Sequence, residues 1–213
     1  MRITHNRKYY VLTGIIVFTL LIVSISVYII MPRGRPLEIK KTDELFGIIK
    51  DGDIICRLGN RLWSQLFSDL SETDKRYSHM GIIRIHNGLV TVIHTEGDAG
   101  PGKDHVTEIS LDDFLIIARA TGIYRVNGID GNVISQTALE YLGTPFDWQF
   151  DLNNDSKLYC TELIYVVLKR IMPEIKLNTV YVEKFGKEII PLEAISNSEY
   201  FSEIYCINSI NDR

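Results

Sequence analysis

Cys160 stands in Leu158-Tyr159-Cys160-Thr161-Glu162, just ahead of Leu163, Ile164, Val167, Leu168 and Ile171. That three- and four-residue spacing predicts an amphipathic helix over 160–171 that stops before Pro173, with the thiol at its first turn. Unpaired backbone N–H groups and the positive end of the helix dipole lie there, and both favour a thiolate and can hold an oxyanion. A cysteine on an apolar helical stripe is ordinarily a small buried hydrophobe, so the assignment needs a partner. The chemistry would be acyl transfer: a thiolate attacks a carbonyl, an imidazole about 3 Å away manages the proton, and a third group fixes the imidazole tautomer.

His79 opens His79-Met80-Gly81-Ile82-Ile83-Arg84-Ile85, a run of strand character in which Gly81 leaves the histidine's face clear. On the next run, 89–96, the period of two sets Val90, Val92, His94 and Glu96 on one face. His94 is the natural orienter of His79, and Glu96 is the alternative. Two histidines on adjacent strands also arise by chance among the five present. Zinc would be a competing use of Cys160, His79 and His94, but no CxxC or HExxH spacing supports it, and no metal or other cofactor is expected.

The elements that must position these groups read clearly in the middle of the chain. Asp51-Gly52-Asp53 is a turn into a strand at 54–57, and 60–70 holds Leu62, Trp63, Leu66, Phe67 and Leu70 at helical spacing. His86-Asn87-Gly88 between two β-branched runs is a strong hairpin signal. A helical cap at 110–115, a strand at 116–126, a helix at 133–142 and a polar, aromatic loop at 145–156 follow. A short helix within 41–50 and strands at 189–192 and 203–207 complete the reading.

The amino terminus differs from the rest: residues 11–30 carry no charge and no proline. A helix of that length spans roughly 30 Å, the thickness of a bilayer core. A basic tail at 1–10 precedes it, and a stiff basic linker at 31–40 follows. No Ala-x-Ala cleavage site is present, so a single-pass, uncleaved anchor is expected rather than an export signal. Basic residues on both sides leave the orientation open. The remaining 41–213 make one domain with enough chain to bury its own core. Three cysteines cannot all pair, which discourages a disulfide scaffold. A net charge of -4, with the basic cluster beside the apolar segment, excludes a nucleic-acid role.

Taken in order, Gly52-Asp53-Ile54-Ile55, Ser78-His79-Met80-Gly81-Ile82, Val92-Ile93-His94, Gly143-Thr144-Pro145-Phe146-Asp147 and Tyr159-Cys160-Thr161-Glu162-Leu163 resemble the circularly permuted branch of the NlpC/P60 papain-like superfamily. The resemblance is strongest to its YiiX-like amidase and hydrolase group. It implies an α+β permuted papain-like fold, here preceded by one transmembrane helix, with Cys160 as nucleophile and His79 as base. His94 falls where YiiX-like members usually carry glutamate and lecithin:retinol acyltransferase relatives carry histidine. The implied function is a thiol hydrolase that cleaves an amide, peptide, ester or thioester acyl bond in a small-molecule, peptide or lipid substrate. The backbone N–H of Cys160 is the expected oxyanion donor, and Tyr77, Trp148 and Tyr159 are candidates for the substrate cleft. The alternative is a catalytically silent, membrane-tethered binding protein on the same scaffold.

Overall fold

The computed structural model describes residues 3–31, 44–60, 62–97 and 104–208. The expected linker, apart from residue 31, and positions 98–102 of the loop after the second hairpin strand lie outside them. In chain order the elements are α1 (Ile3–Ile30), β1 (Ile54–Gly59), α2 (Leu62–Ser68), β2 (His79–His86), β3 (Leu89–His94), β4 (Thr107–Ser110), α3 (Leu111–Leu115) and β5 (Ala118–Val126). Then come α4 (Gly131–Leu139), α5 (Cys160–Ile171), β6 (Val180–Val182), β7 (Lys187–Ile189), α6 (Glu193–Ser196) and β8 (Phe201–Asn208).

β1 is buried at every residue, which requires a strand paired on both edges and covered on both faces. It pairs antiparallel with β2 and with β5, and the full sheet runs β4-β3-β2-β1-β5-β8. β6 and β7 form a separate two-stranded sheet. Alternation divides the sheet's side chains. Ile54, Cys56, Met80 and Ile82 pack with Ile134 and Ala138 of α4 and with Leu163, Ile164 and Val167 of α5. Ile55, Ile83, Val92 and Ile123 face the other way, onto Leu111 and Phe114 of α3 and onto Leu45. Each such side chain taken from water stabilises the fold by roughly 1.5–3 kcal/mol. Truncating a fully buried one such as Ile164 to alanine therefore costs about 2–5 kcal/mol.

The hairpin turn follows its chemistry. Asn87 and Gly88 both take positive φ, 51° and 77°, as the two central residues of a type I′ turn do. Ser110 caps α3 by accepting the N–H of Asp113, and Asp130 caps α4 by accepting that of Asn132. α4 thus begins at Gly131, two residues ahead of the expected start, because the cap and not the first apolar residue sets the boundary. The expected strand at 189–192 is displaced: β7 ends at Ile189, and Glu193 opens α6.

Helix α1 includes Tyr9–Tyr28, 20 residues long and 0% buried against the rest of the chain. It is apolar enough to cross a membrane, a test that an amino-terminal signal sequence also passes.

Candidate active site

β2 pairs with β1 from Arg57↔His79 onward, but its ladder to β3 starts only at Ile82↔Ile93. His79, Met80 and Gly81 are therefore hydrogen-bonded in the sheet on one side only. The first turn of α5 is seated on this stretch. Cys160, its first residue, is half-buried against the core that contains Met80 and Cys56. The backbone N–H of Met80 faces the thiol, as do those of Thr161 and of Cys160 itself, and all three favour the thiolate. Burial is the larger influence and, with the negative charge of Glu96, raises the thiol pKa to about 11.

His79 and His94 come together across β2 and β3, with His79 Nε2 lying 2.9 Å from His94 Nδ1. The rings meet edge to face, and Phe114 of α3 packs on both, at 5.6 and 5.4 Å between centroids. Gly81 makes this approach possible. A Cβ there would meet Val92 Cγ1 at 2.5 Å and His94 Cβ at 3.0 Å, so any side chain would push β3 and its histidine away.

Both imidazoles are buried, and burial is the main reason that both are held neutral. His79 lies well below 6.5, and His94 is lowered to about 4, with the Arg57 charge acting in the same direction. One of the two facing nitrogens must carry the shared proton. If His79 Nε2 donates it, His79 Nδ1 is left with a lone pair for a thiol proton, and His94 carries its own proton on Nε2. Among the described residues that His94 Nε2 is buried without a hydrogen-bond partner, at a cost of about 1–3 kcal/mol.

Glu96, the alternative orienter, is only partly exposed. Arg57 Nη2 donates to its two oxygens at 2.7 and 2.8 Å, and the guanidinium lies 4.5 Å above the Phe114 ring, whose backbone carbonyl it also binds. Burial alone would raise the Glu96 pKa. Electrostatic interaction with His79 and Arg57, the Arg57 hydrogen bonds and interaction with His94 outweigh it and lower the pKa to about 2. Arg57 was missed in the sequence, although an arginine amid Ile54, Ile55, Cys56 and Leu58 is the kind of residue that demands a buried partner.

Two of the expected cleft residues are structural instead. Tyr77 is 2% exposed, its hydroxyl lies 3.3 Å from Cys206 Sγ, and its ring meets Tyr124 edge to face. Tyr159 is 4% exposed, and its hydroxyl accepts the N–H of Ile190. Tyrosines in helix- and strand-flanking positions bury their rings when a polar partner is within reach, and both found one. Trp148 is 60% exposed and edge-on to Phe146, so it remains available at the surface. Among the described residues the thiol makes no hydrogen bond to His79. Such contacts are commonly long before substrate binds and tighten in the complex.

His79, His94 and Glu96 bring one ligand atom each to within 4.8 Å of one another. The set does not suit an ion: Arg57 already neutralises Glu96 and would face the metal with a like charge, and the His79–His94 hydrogen bond would have to open.

Comparison with known proteins agrees with this architecture. The chain is 27% identical over 164 residues to the uncharacterized protein YiiX of Escherichia coli (strain K12), covering 67% of this chain and 75% of that one. It shares its fold with a crystal structure described as metalloprotein yiiX from Escherichia coli O157:H7, at a TM-score of 0.61 and 18% identity over 74% of this chain and 97% of that one. Residues 48–199 match the permuted papain-like amidases of the YaeF/YiiX type, and the chain belongs to that family.

Proposed function

We propose that the protein is a cysteine-dependent hydrolase of acyl bonds, with Cys160 as nucleophile, His79 as general base and His94 as the residue that orients His79. The observation that carries this reading is the 2.9 Å contact between His79 Nε2 and His94 Nδ1, formed where α5 delivers Cys160 to the opening residues of β2. With Nε2 engaged, His79 takes the thiol proton at Nδ1 as the sulfur bonds to the acyl carbon. It returns a proton to the departing amine, alcohol or thiol, and water then releases the acyl group. The developing oxyanion falls near the first turn of α5, where the Cys160 N–H and the positive end of the helix dipole oppose its charge.

The resting state of this pair is neutral, because burial raises the thiol pKa and lowers that of the imidazole. Proton transfer therefore accompanies attack and does not precede it, unlike in an enzyme that stores a thiolate–imidazolium pair. The apolar α1 supports a substrate presented at a membrane, with α1 as a single-pass anchor. An acyl-directed thiol probe tests the reading. It should label wild-type protein and fail on Cys160→Ala, although Cys56 and Cys206 remain. Equal labelling of the two would leave a binding protein on the same scaffold as the better account.

A further inference from the structure

The loop that leads into α5 carries an oxygen pattern for which the proposed thiol chemistry has no use. Asp151, Asn153 and Asp155 alternate, Lys157 and Tyr159 occupy the next two odd places, and Glu162 is the twelfth residue, inside the first turn of the helix. Calcium loops supply oxygens in this order, from the first, third, fifth and seventh residues and from a glutamate at the twelfth. Ser156 stands at the sixth place, where such loops carry glycine.

Spacing alone makes no site, and the second observation is Glu162 itself. It is 1% exposed; its Oε2 accepts the Tyr159 N–H at 3.3 Å, while its Oε1 is buried with no hydrogen-bond partner among the described residues. A buried carboxylate oxygen in that condition calls for a proton or a cation. Burial first, and then the charges of Asp147, Asp155 and Asp151 against the opposing Tyr159 N–H, raise the Glu162 pKa to about 8. Those three acids thus act on the side chain from the loop. Asp147 is already engaged, accepting the N–H groups of Gln149 at 2.8 Å and of Asp151, so it holds the first residue of the loop in place.

We propose that residues 151–162 bind a calcium ion through Asp151, Asn153, Asp155 and the Lys157 carbonyl, with Glu162 closing the coordination from α5. The carboxylates have not converged in the structure, since the described set of three metal-ligating groups within 4.8 Å is the histidine one. Residues 153–157 are all exposed, and an ion would draw them towards Glu162. Occupancy would also place positive charge two residues from Cys160. Any effect on turnover rests on the reading of that cysteine given above, whereas binding does not.

The test is calcium titration of the full-length protein in detergent by calorimetry, with terbium luminescence sensitised by Trp148 as a second readout. One ion should bind per chain, and Glu162→Gln and Asp155→Ala should each weaken it by about tenfold or more. Asp155 is exposed, so its variant decides the matter alone should Glu162→Gln fail to fold. No saturable uptake at millimolar calcium, or wild-type affinity in a folded variant, would overturn the proposal.

Discussion

Glu96 and Glu162 are two largely buried carboxylates near one thiol, and their surroundings treat them in opposite ways. Glu96 is clasped by Arg57 through two hydrogen bonds, and its pKa is lowered to about 2. Glu162 has one oxygen on a backbone N–H and the other without a partner among the described residues, and its pKa is raised to about 8. Burial raises both; what differs is the neighbouring charge, a guanidinium in one case and three aspartates in the other. A buried acid with its counter-charge supplied within the fold serves the architecture of the histidine pair. A buried acid surrounded by more acid keeps its own proton until a cation takes its place.

The sharpest way to break the contrast is to remove the guanidinium. Arg57→Ala leaves Glu96 and the histidine pair without their cation, and chemical denaturation should show a loss of about 3–5 kcal/mol. The double variant Arg57→Met with Glu96→Leu should recover most of that loss, because no unpaired charge is left behind. A loss below about 1 kcal/mol in the single variant would mean that the pair is ornamental.

A smaller effect is expected on the chemistry. Single-turnover acylation in His94→Ala should fall by on the order of tenfold, while Cys160 still reacts with a simple alkylating agent. Replacement of His94 by glutamate should keep more of the rate than alanine does. Glu96→Ala should acylate faster than His94→Ala, and the reverse order would move the orienting role to Glu96.

The same contrast is read in the pH profile of stability, measured without calcium. His94, lowered from 6.5 to about 4, stays neutral in the folded protein while the unfolded chain gains a proton. Stability should therefore fall as pH drops from 6.5 towards 4, with His79 adding in the same direction. Glu96 extends the loss from 4.5 down to about 2. Glu162 has the opposite sign, because the folded form keeps a proton that the unfolded chain has lost, so its contribution declines as pH rises from 4.5 to about 8. Glu162→Gln should remove the decline between pH 4.5 and about 8 and leave the profile below 4.5 unchanged.

Local pattern carried much of this into the sequence. The bounds of α5 are those expected at 160–171, since an apolar stripe and a following proline fix both ends. Asn87-Gly88 set the hairpin register, and the period of two then placed His94 opposite the Gly81 gap. The Arg57–Glu96 pair was illegible, because two residues 39 apart meet only after β1, β2 and β3 have assembled. The burial of Tyr77 and Tyr159 was illegible for a similar reason: whether a tyrosine hydroxyl faces solvent or a neighbour such as Cys206 or Ile190 is decided by tertiary packing. β4 and β6, four and three residues long, are too short for alternation to declare them.

The central claim is that His79 serves Cys160 as its base, and the direct measurement is the single-turnover acylation rate of His79→Ala beside wild type, with folding and Cys160 alkylation verified in both. A general base of this kind contributes about 10²–10⁴-fold, so a loss in that range is expected while the thiol stays reactive. Acylation of His79→Ala at the wild-type rate would contradict the account.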